Sequence, residues 1–168
     1  MNTANDPSGR LVWLWLTASV IGLDQWSKAL IEQYLPLFGV RVLLPVFNLT
    51  RLHNPGAAFN FLAGASGWQR WVLIVLAVTV CTALIVWLKR LSRDANVLGA
   101  GLALVLGGAA GNVIDRARFG YVVDFIQVHW QQHYFPSFNV ADSSITLGAG
   151  LLLLDAWITR RATGPAPR

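Results

Sequence analysis

Two aspartates, Asp124 in VVDF (122–125) and Asp142 in NVAD (139–142), lie close to the ends of segments apolar enough to cross a bilayer. A carboxylate at or near membrane depth is costly and is seldom kept without a use. Two of them near one membrane face could share a proton and activate water, the chemistry of an aspartic protease. They are too far apart in sequence to meet on one helix turn, so only tertiary packing could pair them. Each could instead cap a helix or form an ion pair on its own. Asp142 precedes Ser143, Ser144 and an apolar run, the pattern of a helix start. A carboxylate there is favoured in its charged form. If the two do pair, Asp142 is expected to be ionised at rest and to act as base, with Asp124 holding the proton and acting as acid.

The segment GGAAGNVIDR (107–116) brings further polar groups to the same region. Its small residues, Gly108 among them, let a helix or a substrate backbone approach closely. Asn112, Asp115 and Arg116 follow at the segment's end. Asp24 and Lys28 are four residues apart, share a helix face and can pair; a structural role in orienting the first apolar segment is expected of them. His129 and His133 have the spacing of a helical zinc pair, but Trp130 stands where the zinc-protease motif carries its glutamate, and no third ligand is evident. No metal and no other cofactor is expected. The single cysteine, Cys81, lies within an apolar run and can form no internal disulfide.

The elements that must position these residues are apolar. The 168-residue chain is 55% hydrophobic and 12% charged, whereas a soluble domain carries roughly a quarter charged residues. The apolar residues come in long runs, which predicts an all-α membrane protein with four transmembrane helices, at about 11–31, 71–88, 97–114 and 144–159. The first run resembles a signal peptide, yet no small-residue cleavage site follows it, so a retained helix is expected. The net charge of +5 is spread over residues that flank apolar runs, which suits membrane edges better than a nucleic acid. Lys89, Arg90 and Arg93 crowd a short loop, and Arg10, Arg160, Arg161 and Arg168 join them on that side if the chain crosses four times. Both termini are therefore expected to be cytoplasmic.

Two longer connections then lie on the outer side. VRVLLPVFNLTRL (40–52), the turn Asn54-Pro55-Gly56 and AAFNFL (57–62) predict a small interfacial β-sheet. The stretch from Arg116 to Phe138, with Trp130, Tyr134 and Phe135, is expected to lie along the interface as a helical or loop segment. No internal repeat or second domain is visible, so residues 1–168 read as one integral membrane domain with loose ends at 1–9 and 164–168.

Taken in order, DQWSK (24–28), NPGAAF (54–59), GGAAGNVIDR (107–116), VVDF (122–125) and FNVAD (138–142) resemble the bacterial lipoprotein signal peptidases, the signal peptidase II family. Ser27 departs from the family, which usually has Thr there. The resemblance implies an intramembrane aspartic endopeptidase of the inner membrane, with its site near the periplasmic face. Such an enzyme removes the signal peptide of a diacylglyceryl-modified prolipoprotein, cutting before the lipidated cysteine. It further implies Asp124 and Asp142 as the catalytic pair, Asn54, Gly56, Gly108, Asn112, Asp115, Arg116, Asn139 and Ala141 as substrate-binding or site-supporting residues, and Asp24 and Lys28 as architecture. Inhibition by globomycin, a lipopeptide, belongs to the same expectation. The outer sheet near Phe59 and the segment near Trp130 could clasp the substrate. The readings from other classes are a small proton or ion transporter using the aspartates, a metalloprotease on His129 and His133, and a non-catalytic assembly factor.

Overall fold

The structure is a computed structural model that describes residues 8–56, 67–92 and 94–163, without the side chains of 8–11 and 162–163. The expectations for residues 57–62, Phe59 included, for Arg93 and for the ends 1–7 and 164–168 lie outside the described residues. In chain order the elements are α1 (Ser8–Tyr34), β1 (Val40–Leu44), β2 (Phe47–Asn54), α2 (Trp68–Lys89), α3 (Asn96–Phe119), β3 (Val122–Trp130), β4 (His133–Tyr134) and α4 (Val140–Thr163).

The fold is mostly helical. Among the described residues, three helices are long and apolar enough to cross a membrane: Trp68–Lys89, Asn96–Phe119 and Val140–Arg161. The helix α1 has 27 residues and is not among them; it carries Asp24, Lys28 and Glu32 in its second half. On α2, Trp71, Val75, Val78 and Trp87 are exposed. A helix that is apolar on its outward face needs a lipid-like surrounding.

The helix α3 is central, and its small residues explain why. Gly99, Ala103, Gly107 and Gly111 repeat every four residues and form one stripe down the helix. Against them α1 seats Trp13, Thr17, Val20 and Asp24 in register. The Thr17 hydroxyl donates to the Ala103 carbonyl at 3.1 Å. A second face of α3 receives α4 in the opposite direction: a Cβ at Gly101 would press on Leu152, and one at Gly108 would overlap the Ala141 carbonyl oxygen and crowd Ile145. Backbones this close replace the missing hydrophobic drive between helices in lipid with van der Waals contact. At one end of the bundle Leu84, Leu88, Leu91, Leu102 and Leu106 close an apolar core; towards the other, Ile31, Val123 and Phe125 do the same beneath the sheet.

The sheet has four antiparallel strands in the order β1-β2-β3-β4. This corrects the expectation of a helical or loop segment between Arg116 and Phe138, because Val122–Trp130 and His133–Tyr134 within that stretch are strand. Val122, Val123, Ile126 and Val128 are β-branched and favour a pleated surface. As β3 they satisfy the edge of β2, which an interfacial helix would have left unpaired. The fourth apolar segment also begins earlier than read, at Val140, because Asn139 caps the helix and draws Asp142 into its first turn.

Candidate active site

Register and capping bring the two aspartates together. On β3, Asp124 lies opposite Leu52 of β2, and a register shift occurs between Leu49 and Leu52. Leu52 and Asn54 share one face of β2, so Asn54 is a diagonal neighbour of Asp124. Its amide Nδ2 donates to Asp124 Oδ2 at 3.0 Å. Asp142 sits in the first turn of α4. The Asn139 side-chain Oδ1 accepts the Asp142 N–H at 2.9 Å, and the Asn139 N–H donates back to Asp142 Oδ2 at 3.3 Å. This is a reciprocal capping box, built here from Asn and Asp. The same Asn139 donates through Nδ2 to Asp124 Oδ1 at 2.9 Å. One residue thereby touches both carboxyl groups.

Asn112 on α3 completes the frame by donating from Nδ2 to Asp142 Oδ1 at 2.8 Å. Its own Oδ1 accepts from Lys28 Nζ at 3.1 Å and from Asn139 Nδ2 at 3.3 Å. The three asparagines obey one rule. Each has its amide oxygen pinned by a group that can only donate: the Gly56 N–H on Asn54 at 3.0 Å, the Asp142 N–H on Asn139, and the Lys28 ammonium on Asn112. Each must then turn its NH₂ towards an aspartate. Sequence reasoning found Asn54, Asn112 and Asn139 but not this orientation.

Behind the frame lies a buried ionic cluster. Lys28 Nζ is 2.8 Å from Asp24 Oδ2 and 2.9 Å from Asp115 Oδ2. Asp24 Oδ1 accepts the Ala141 N–H at 2.9 Å, and Asp115 Oδ2 accepts the Val123 N–H at 3.2 Å. Gln25, which the sequence reading left unassigned although it stands within DQWSK, donates to Asp115 at 2.8 Å and to the Gly111 carbonyl at 3.3 Å. The cluster therefore joins α1, α3, β3 and α4 at the level of the aspartates. Gly111 is required there, since a Cβ would lie 2.6 Å from Asp24 Oδ2.

Arg116 donates from Nη2 to the Gly56 carbonyl at 2.7 Å, so it ties the Asn54–Gly56 turn to α3. Asn54, Asn112, Arg116, Asp124 and Asp142 all line one cavity of about 880 Å³. Gly108, Asp115, Asn139, Ala141, Gly56, Asp24 and Lys28 stand behind its wall and support it. The rest of the lining is mainly apolar, with Leu73, Leu76 and Val80 on one side and Ile145 and Leu147 on the other. Ser137, also on the wall and missed in the sequence, has a buried hydroxyl with no hydrogen-bond partner among the described residues. Asp124 is 5% exposed. Burial first, and the nearby charge of Asp142 second, push its carboxyl up to about 7, against the pull of the Asn54 and Asn139 hydrogen bonds.

His129 and His133 do not share a helix. They lie on β3 and β4, where His129 opposes Tyr134 and stacks on it with ring centres 4.9 Å apart. The helical i, i+4 geometry of a zinc pair is absent. Among the described residues no three His, Cys, Asp or Glu side chains gather as a metal site would need.

A half-buried and a buried carboxyl group on one cavity, carried by membrane-length helices and a small sheet, describe an aspartic-type peptidase of membranes. The comparisons with known proteins agree. The family model for Signal peptidase (SPase) II matches residues 16–158. Lipoprotein signal peptidases of Pseudomonas syringae pv. tomato and Pseudomonas putida are 51% and 50% identical over 160 and 166 residues, covering 94% and 98% of this chain and 92% and 97% of theirs. Among solved structures, a bacterial membrane enzyme determined by the in meso method is similar with a TM-score of 0.81 and 26% identity, over 94% of this chain and 93% of that one. A second enzyme solved in the same way gives a TM-score of 0.75 and 28% identity, over 85% and 90%. The chain belongs to the signal peptidase II family, and it is an aspartic-type peptidase.

Proposed function

We propose that this chain removes signal peptides from diacylglyceryl-modified prolipoproteins, cutting before the lipidated cysteine, with Asp124 and Asp142 as the catalytic pair. The observation that carries the reading is that both carboxyl groups reach one cavity and are linked through Asn139. Asp124, with its affinity for a proton raised to about 7, supplies the acid. Asp142, held by Asn112 and by the first turn of α4, supplies the base. A water between them loses a proton to Asp142 as its oxygen bonds to the scissile carbonyl carbon, while Asp124 protonates the carbonyl oxygen. When the tetrahedral intermediate collapses, the C–N bond breaks, the proton on Asp142 passes to the leaving nitrogen, and the oxygen returns its proton to Asp124.

The apolar walls suit a substrate that is itself lipid-soluble. Both α2 and α4 pack on α3, and the cavity runs between them towards the catalytic pair. A signal helix and acyl chains fit such a groove, and a lipopeptide of the globomycin kind would occupy the same space. We read residues 1–168 as one domain that crosses the bacterial inner membrane four times. In that reading α1 is the fourth span, its buried charges neutralised within the bundle, and the termini and the Lys89–Arg90 turn are cytoplasmic. The sheet and the catalytic pair then lie at the periplasmic face.

The test is a gel-shift cleavage assay in detergent on a diacylated prolipoprotein, comparing the parent, Asp124→Asn, Asp142→Asn and a chelator-treated sample. Near-complete loss is expected for each variant and no change with the chelator. Cleavage that survived both substitutions would end the reading.

A further inference from the structure

Lys28 does not line the cavity, and a purely architectural role leaves one of its contacts unexplained. Two carboxylates, Asp24 and Asp115, already answer the charge of its buried ammonium. The third acceptor is the amide oxygen of Asn112 at 3.1 Å. An ammonium has hydrogens to give and no lone pair to offer, so the Asn112 atom that faces it must be oxygen. Asn139 Nδ2 reinforces the choice from a second direction. The opposite end of that amide is then NH₂, and it points at Asp142 Oδ1 from 2.8 Å. Turning the amide over would set N–H against an ammonium and an oxygen against a carboxylate, two repulsions in a buried site where water cannot relieve them.

We propose that Lys28 is a positioning residue for the reaction: it locks the Asn112 amide as a donor to Asp142 and so fixes the carboxylate oxygen that must meet the attacking water. This rests on the reading of Asp124 and Asp142 as the catalytic pair. The hydrogen bond it secures is charge-assisted and directional, and a base displaced from its line to the water loses rate without losing substrate affinity. The ionic cluster is thus joined to the chemistry through one amide, in addition to joining α1, α3, β3 and α4.

A mutant cycle tests this. Asp24→Asn is the reference background, because removing the Lys28 charge from it with Lys28→Met keeps the net charge of the cluster as it is in the parent. Cleavage of the diacylated prolipoprotein is measured per folded enzyme, the folded fraction coming from gel filtration and thermal unfolding in detergent. Lys28→Met is expected to lower kcat about tenfold or more with KM held within about twofold. In an Asn112→Ala background the same substitution is expected to cost less than about twofold in kcat, because the amide it acts through is gone. An equal loss in both backgrounds, or a loss confined to KM and folded fraction, would overturn the proposal.

A second variant guards against misfolding. Asn112→Asp leaves Lys28 a partner but faces Asp142 with an oxygen. Its turnover, read on the folded fraction alone, is expected to fall by about a hundredfold, and retained turnover would overturn the proposal. Substantial cleavage by Asp142→Asn would instead remove the catalytic pair itself, and the inference with it.

Discussion

At the scale of single residues, two carboxyl groups sit in different surroundings, as the proposed division into acid and base requires. Asp124 is nearly closed off from solvent, while Asp142 is half-buried in the first turn of α4. Replacement of either by Asn is expected to lower turnover by at least about a thousandfold, read as uncut prolipoprotein on a gel. The raised proton affinity of Asp124 has a definite sign in the pH profile. An acid that must be protonated works below its own pKa, so kcat/KM is expected to fall as pH rises through about 7. The Asn54 hydrogen bond favours the ionised form and holds that value down. In Asn54→Ala the falling limb should therefore move to higher pH, alongside a lower maximal rate. A limb that stayed in place or moved to lower pH would count against Asp124 as the acid.

The elements show how much of this was legible in the sequence. The long apolar runs revealed α2 and α3 as helices, but α2 begins three residues earlier than the expected 71–88 and α3 ends five residues later than the expected 97–114, where Asp115, Arg116 and Arg118 make the helix polar. The motif asparagines and aspartates were legible as types. Their convergence was not, since it depends on a register shift in β2 and on the capping of α4 by Asn139, neither of which leaves a periodic trace. Val122–Trp130 was misread because aromatic residues at an interface suit a loop or helix as well as a strand; pairing with β2 decided it. The glycine stripe of α3 was read as close packing, and its partners are now specific. Gly111→Ala would push a methyl group into Asp24 Oδ2, and Gly108→Val would drive α4 from the Ala141 carbonyl. Each is expected to destabilise the fold by about 1–3 kcal/mol or more, seen as a lower thermal midpoint in detergent. Gly22→Ala, where a Cβ meets nothing within 4 Å, should leave the midpoint unchanged or slightly raised, since Ala is the better helix former.

For the whole molecule the remaining question is which end faces which compartment. The helices run so that the end of α2 at Lys89 and the start of α3 at Asn96 lie together, while the end of α3, the start of α4 and the sheet form the opposite end with the proposed catalytic pair. Lys89 and Arg90 crowd the short turn at the first of these ends, whereas Arg41, Arg51, Arg70, Arg116 and Arg118 are spread over the longer connections of the other, and short basic loops stay in the cytoplasm. The second end carries Trp130, Tyr134 and Phe135 exposed on and beside the sheet, the residue types that favour the headgroup level. A substrate whose signal helix spans the bilayer and whose lipidated cysteine lies at the outer surface can meet Asp124 and Asp142 in one orientation only. Single cysteines placed at Ser92 and at Gln131, in a Cys81→Ala background, should settle that orientation in intact cells. A membrane-impermeant maleimide is expected to label the cysteine at 131 in the β3–β4 turn once the outer membrane is opened, and the cysteine at 92 only after the inner membrane is breached. The reverse pattern would place the cavity on the cytoplasmic side, where the lipidated end of a translocated precursor could not reach it, and would exclude the proposed reaction whatever the two carboxyl groups can do.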